Sequence, residues 1–296
     1  MTSDDPTPPA AKKGADEITI YTLPGSQFTA KVLSALDARG IPHRALFVPI
    51  PVKARKAALP GEGILVPQMV VAAAGGDGGE TATTRTVVTG SEDILIWFDD
   101  HGYEPKLFPV EEAGALSTRA SDGILAGAAW YFNWVDPAGY ANSMRKALAM
   151  ALAPAWLGAA VGGFVADLFA RESKAKFRRL SQKALAVEEG DMADRAKIMG
   201  ILTKELTYFQ SFLKEDDQPY LLGGESTAAD FAIYAQVERL VGTMGDCRVP
   251  CSVPELPDET TPELARFWQW YEGMKAKHPI RYKGKEPLAA PASPEE

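Results

Sequence analysis

The chain has 296 residues, 46% hydrophobic and 24% charged, with a formal net charge of −8, which bounds it at one large or two ordinary globular domains. The acidic balance argues against a nucleic-acid partner, because such proteins carry a basic excess or patch. Two cysteines cannot build a disulfide framework, and three histidines at 43, 101 and 278 have no metal-ligand spacing.

Residues 1–16 are rich in Pro, Ala, Lys and Asp and have no apolar run, so a secretory signal is not expected; their acidic residues argue against a transit peptide. They are expected to be a disordered tail, as is 282–296, and the cytoplasm is the expected location. Glu17–Leu23 alternates apolar and polar and predicts strand one. Pro24-Gly25 is a turn. From Ser26, Phe28, Val32, Leu33 and Leu36 share a helical face, and Gly40 suits the stop. Ala45–Ile50 predicts strand two, 51–63 a basic loop or short helix, and Ile64–Ala72 strand three.

Proline gives no N–H to a sheet ladder, so Pro67 belongs at an edge or a strand start, and a proline after an apolar residue there is a candidate for a cis peptide. The Gly/Ala/Thr-rich 73–84 stretch is expected to be a long hairpin loop, Arg85–Val88 strand four, and Ser91 the cap of a helix to Asp100. The order βαβ then ββα, with the proline at the join, is the thioredoxin-like pattern.

After Pro105 the pattern is helical. Segments are predicted near Ala113–Val135, Ser143–Glu189 with a break at 172–174, Met192–Lys214, Thr227–Val241 and Pro262–Lys277. The domains are therefore 17–104, thioredoxin-like α/β, and 105–281, all-α. Residues 147–166 carry no charge, but the run is Ala/Gly-rich and contains Pro154. A buried helix is the better reading than a span, and contact with a membrane surface is left open. Thr227 and Asp230 form a capping box before an apolar helix, a folding element.

This layout resembles the glutathione transferase superfamily from Ile18 to Ile280. The Val66-Pro67 pair, the Ser91-Glu92-Asp93-Ile94 helix start, the Thr227–Asp230 box and the Phe267-Trp268-Gln269-Trp270 helix before His278-Pro279 carry the resemblance. A narrower similarity is to the glutaredoxin-like prostaglandin E synthase type 2 branch, whose Cys-Pro-x-Cys-x-Lys-Val run corresponds to Ser26-Gln27-Phe28-Thr29-Ala30-Lys31-Val32. Ser26 and Thr29 stand at both redox cysteine positions, so dithiol chemistry cannot occur there.

The resemblance implies glutathione as co-substrate, a hydrophobic small molecule as second substrate, and a homodimer. Ser26 sits at a helix N-terminus, where partial positive charge and a donor hydroxyl favour a bound thiolate; the bland reading is an N-cap alone. Tyr21 is the alternative catalytic hydroxyl, or core. The Val66 backbone beside a cis Pro67 is implied to pair with the peptide of glutathione. Ser91 and its helix start are implied to hold the γ-glutamyl carboxylate. Gly90 replaces the family's acidic residue, leaving Glu92 or Asp93 to meet the amino group. Lys53, Arg55 or Lys56 is the candidate partner for the glycyl carboxylate, or a solvated charge.

Trp130, with Tyr131, Phe132 and Trp134, is core or the lining of an apolar pocket. Cys247 and Cys251, in a proline-rich insertion, are assigned no role. Three readings follow: a serine-type glutathione-dependent transferase or isomerase; a non-catalytic ligand- or partner-binding protein of the same fold; and a prostaglandin-synthase-like isomerase with membrane association.

Overall fold

The computed structural model describes residues 17–72, 85–152, 158–214, 218–282 and 286–287. The first domain comprises β1 (Glu17–Thr22), α1 (Gln27–Ala38), β2 (Arg44–Phe47), α2 (Val52–Ala58), β3 (Gln68–Ala72), β4 (Arg85–Thr89) and α3 (Ser91–Asp100). β1 runs parallel to β2 and antiparallel to β3, and β3 is antiparallel to β4. Alternation turns Ile18, Ile20, Met69 and Val71 into the large core with α1 and α3, while Tyr21 and Val70 pack on the other face with Val48 and Leu59. Gly40, at φ +62°, stops α1 as its sequence position predicts.

Three details differ from expectation. β3 begins at Gln68, not Ile64, because the cis Val66–Pro67 bond precedes it and proline has no N–H for the ladder. Gly90 is the residue that caps α3, and Ser91 is its first helical residue. The sheet also gains a fifth strand: β5 (Glu286–Pro287) pairs parallel to β2, giving the order β4-β3-β1-β2-β5. Tyr282 before it is 1% exposed, with its ring 5.6 Å from that of Phe47. Residues 282 and 286–287 therefore dock on the sheet, whereas a disordered tail was expected.

The second domain contains α4 (Glu111–Asp122), α5 (Ile124–Trp130) continuing into a π turn at Tyr131–Val135, α6 (Pro137–Asn142), α7 (Met144–Leu152), α8 (Gly158–Leu185), α9 (Arg195–Gln210), α10 (Ala228–Val241), α11 (Leu256–Thr260) and α12 (Ala265–Lys277). α8 runs unbroken through 172–174, and nothing there breaks it because Glu172-Ser173-Lys174 holds neither Gly nor Pro. The expected loop at 73–84 lies outside the described residues. No helix among the described residues is long and apolar enough to cross a membrane.

α10 is the pivot. Thirteen of its fourteen residues are buried, and it packs on α1 of the first domain and on α4 and α5 of the second. Its start is built as the sequence predicts. The Asp230 carboxylate accepts from the Thr227 N–H and hydroxyl, each at 2.9 Å, from the Leu221 N–H at 2.9 Å and from the Trp270 indole at 3.2 Å. At the far end of α1, Arg39 donates to Pro105 C=O at 2.7 Å and to Ser226 C=O at 2.6 Å, clamping the domains together.

Candidate functional site

Strand register brings three chain segments to one end of the sheet. Tyr21 pairs with Gln68, and Gln68 with Thr89. The exit of β1, the entry to β3 and the exit of β4 therefore lie at the same end of the sheet. The chain leaves β1 through Leu23-Pro24-Gly25 into Ser26, enters β3 through the cis Val66–Pro67 bond, and leaves β4 through Gly90 into Ser91. The Gly90 N–H donates to the Pro67 C=O at 3.0 Å, tying two of these segments directly.

Ser26 is half-buried in extended backbone, and its Oγ accepts from the Thr29 N–H at 3.3 Å. It is thus an N-cap in this state. The first turn of α1 carries no acidic residue, so nothing on the helix offsets its partial positive charge. Thr29 is fully buried and bonds the Thr22 hydroxyl at 2.8 Å, a link between β1 and α1. Both positions that hold cysteine in the narrower pattern therefore carry hydroxyls here.

Val66 is half-buried, and among the described residues its backbone makes no internal hydrogen bond. Gly90 has φ +105°, a conformation that side chains rarely adopt. That gives a physical reason for the missing acidic residue: a side chain there is strained and meets Asp93 Oδ2 at 3.3 Å. Ser91 is buried at the first turn of α3, beside exposed Asp93.

Glu92 is placed differently from the expectation that it faces a ligand. Its carboxylate is bonded by Lys31 and accepts from the Ser117 hydroxyl at 3.0 Å, while Lys31 Nζ also reaches Ser117 Oγ at 2.8 Å. Lys31 is 1% exposed, and burial lowers its pKa against the pull of Glu92. This cluster joins α1, α3 and α4. Asp93 is the acidic side chain left at the helix start.

Tyr21 does not join Ser26. Its ring lies on the opposite face of the sheet, and its hydroxyl is 3.4 Å from Arg85. Lys53 and Lys56 are exposed on α2. Arg55 between them is half-buried with its Nε unpartnered, and burial lowers its pKa, so it is the α2 cation with an unmet hydrogen bond. Trp130 and Trp134 pack on Phe177 of α8, with centroids 6.2 and 4.8 Å away, and Tyr131 and Phe132 are buried. Tyr131 and Phe132 belong to the main core, whereas half-buried Trp134 packs in a smaller cluster that includes Ile50 of the first domain. An open depression of about 440 Å³ lies on the α3–α4 face, lined by Glu92, Ile96, Asp99, Phe108 and Thr118 among others; it reaches the candidate residues only at Glu92.

A residue of the second domain that packs on Gly25, the neighbour of Ser26, was not singled out by the sequence. Val249 Cγ2 lies 2.7 Å from where a Cβ on Gly25 would stand. Its loop is anchored by the Leu240 C=O, which accepts from the Ser252 and Val253 N–H groups at 3.0 and 2.8 Å, and by Arg239, which donates to the Pro250 C=O at 3.2 Å. Arg239 is enclosed on all sides, and burial lowers its pKa to about 10. Asp246 accepts from the Tyr282 N–H at 3.0 Å. Cys247 and Cys251 flank Val249 as half-buried thiols, and burial pushes the Cys251 thiol up. The proline-rich composition marked this loop, but no local signal says what it covers.

Residues 180–273 match the family model for the glutathione S-transferase C-terminal domain. Among solved structures, a glutathione S-transferase of Ceriporiopsis subvermispora in complex with glutathione is 17% identical, with 90% of this chain and 99% of that one covered and a TM-score of 0.52. Glutathione transferase GSTFuA3 from Phanerochaete chrysosporium is 14% identical, with 90% and 98% covered and a TM-score of 0.51. No curated protein matches the sequence.

Proposed function

We propose that this chain, which has the two-domain fold of the glutathione transferase superfamily, binds glutathione in its first domain and acts as a serine-type transferase or isomerase on a small hydrophobic electrophile. One observation carries the reading: Ser26, the cis Val66–Pro67 bond and Ser91 stand at one end of the sheet, the last two joined by the Gly90-to-Pro67 hydrogen bond. Each meets a different part of a γ-glutamyl peptide. The free Val66 backbone pairs with the cysteinyl unit as an added strand. The start of α3 with Ser91 holds the γ-glutamyl carboxylate. Ser26, released from the Thr29 N–H or sharing it, donates to the sulfur and lowers the thiol pKa with the help of the α1 dipole. Asp93 meets the amino group, and Arg55 the glycyl carboxylate.

The test is conjugation of glutathione to model aromatic electrophiles. Ser26→Ala is expected to lower the rate more than ~10-fold, within the range for a positioned proton donor. An unchanged rate with glutathione still bound removes Ser26 as the catalytic group.

A second reading, a non-catalytic binding protein of the same fold, is favoured by Val249, which packs on the turn just before Ser26. Absence of conjugation with intact glutathione binding selects it.

A further inference from the structure

Helix α8 spans 28 residues, about 42 Å at 1.5 Å per residue. Phe164 and Leu168, one turn apart on it, are 69% and 66% exposed. Farther along, Arg171, Lys176, Arg179 and Lys183 are also exposed. At 100° per residue all six fall on one arc about 140° wide. Among the described residues none of these four cations is in an ion pair, and Glu172 is the one acidic side chain on the arc. The other α8 cations turn elsewhere: Lys174 lies over the Tyr140 ring at 3.4 Å, and Arg178 pairs with Glu189 at 2.7 Å. A chain of net charge −8 thus carries unpaired positive charge along the same helix face that presents two protruding apolar side chains.

We propose that this face of α8 docks the protein onto an anionic lipid surface. Protruding Phe and Leu insert at the headgroup boundary, and the cations beside them meet lipid phosphates and carboxylates. Two apolar side chains protruding beside exposed cations match an anionic bilayer surface, which accepts them without a preformed pocket. No described helix can span, so the helix lies on the surface. Because the whole chain is acidic, the attraction is local and acts within about 10 Å at moderate salt. The proposal is independent of the glutathione reading.

The experiment is co-sedimentation of the full chain with vesicles of phosphatidylcholine alone and of phosphatidylcholine with phosphatidylserine. Binding is expected only to the anionic vesicles, with release by high salt. Phe164→Ser/Leu168→Ser and, separately, Arg179→Glu/Lys183→Glu are each expected to weaken it at least about tenfold, with unchanged circular dichroism. Equal binding to both vesicle types, no binding, or binding that neither pair of substitutions weakens overturns the proposal. So does a wild-type dimer that Phe164→Ser/Leu168→Ser dissociates in the absence of vesicle binding, which assigns the face to a second copy.

Discussion

Val249 occupies the space that any side chain at Gly25 would need, with Cγ2 2.7 Å and Cβ 3.1 Å from the position of a Cβ there. Gly25 itself has φ +71°. Glycine is thus required twice, by the backbone and by the loop that crosses it. Gly25→Ala is expected to cost about 1–3 kcal/mol from the backbone alone, plus the overlap with Val249. Adding Val249→Ala relieves the overlap and leaves the backbone cost. Urea denaturation of the two single variants and the double variant measures this. Strict additivity contradicts the contact.

Lys31 and Glu92 form the tie between α1, α3 and α4. Lys31→Met leaves the Glu92 carboxylate without its cation and is expected to cost about 3 kcal/mol. Lys31→Met/Glu92→Leu removes both charges and should recover most of that loss. The sign of the coupling in the double-mutant cycle is the check: a double variant no more stable than Lys31→Met contradicts a paired interface.

His278 gives a pH dependence. Its Nε2 is 2.9 Å from the Tyr220 hydroxyl oxygen, and burial with Arg39 and Lys277 nearby lowers its pKa to about 4. The folded value lies below the unfolded value of about 6.5. The unfolded state therefore binds the proton first as pH falls, and this contribution is full above about 6.5 and lost toward 4. His278→Gln is expected to flatten the fall in Tm across that window. Parallel Tm curves for the two proteins contradict the assignment.

The parts of the fold that were legible in the sequence are local. The Thr227–Asp230 box, the Gly40 stop, the cis bond at Pro67 and the start of α1 at Ser26 each depend on a few adjacent residues. What was not legible depends on contacts far apart in the chain. Glu92 reads as a helix-start acid until Lys31, 61 positions earlier, is found beneath it. Tyr21 reads as the alternative catalytic hydroxyl or as core until the sheet face is known. Trp130 faces Phe177 because α5 and α8 are packed together. The docking of Tyr282 and β5 on the sheet, and of Val249 on Gly25, carries no sequence period at all. The candidate residues Ser26, Pro67, Gly90 and Ser91 were readable as positions where strands and helices begin and end.

The most direct test of the account is calorimetric titration of the purified chain with reduced glutathione, repeated on Ser91→Ala. The account predicts micromolar to low-millimolar binding, weakened about tenfold by the loss of one hydrogen bond to a carboxylate. No binding by the wild-type chain, or identical binding by Ser91→Ala, contradicts a glutathione site at this end of the sheet.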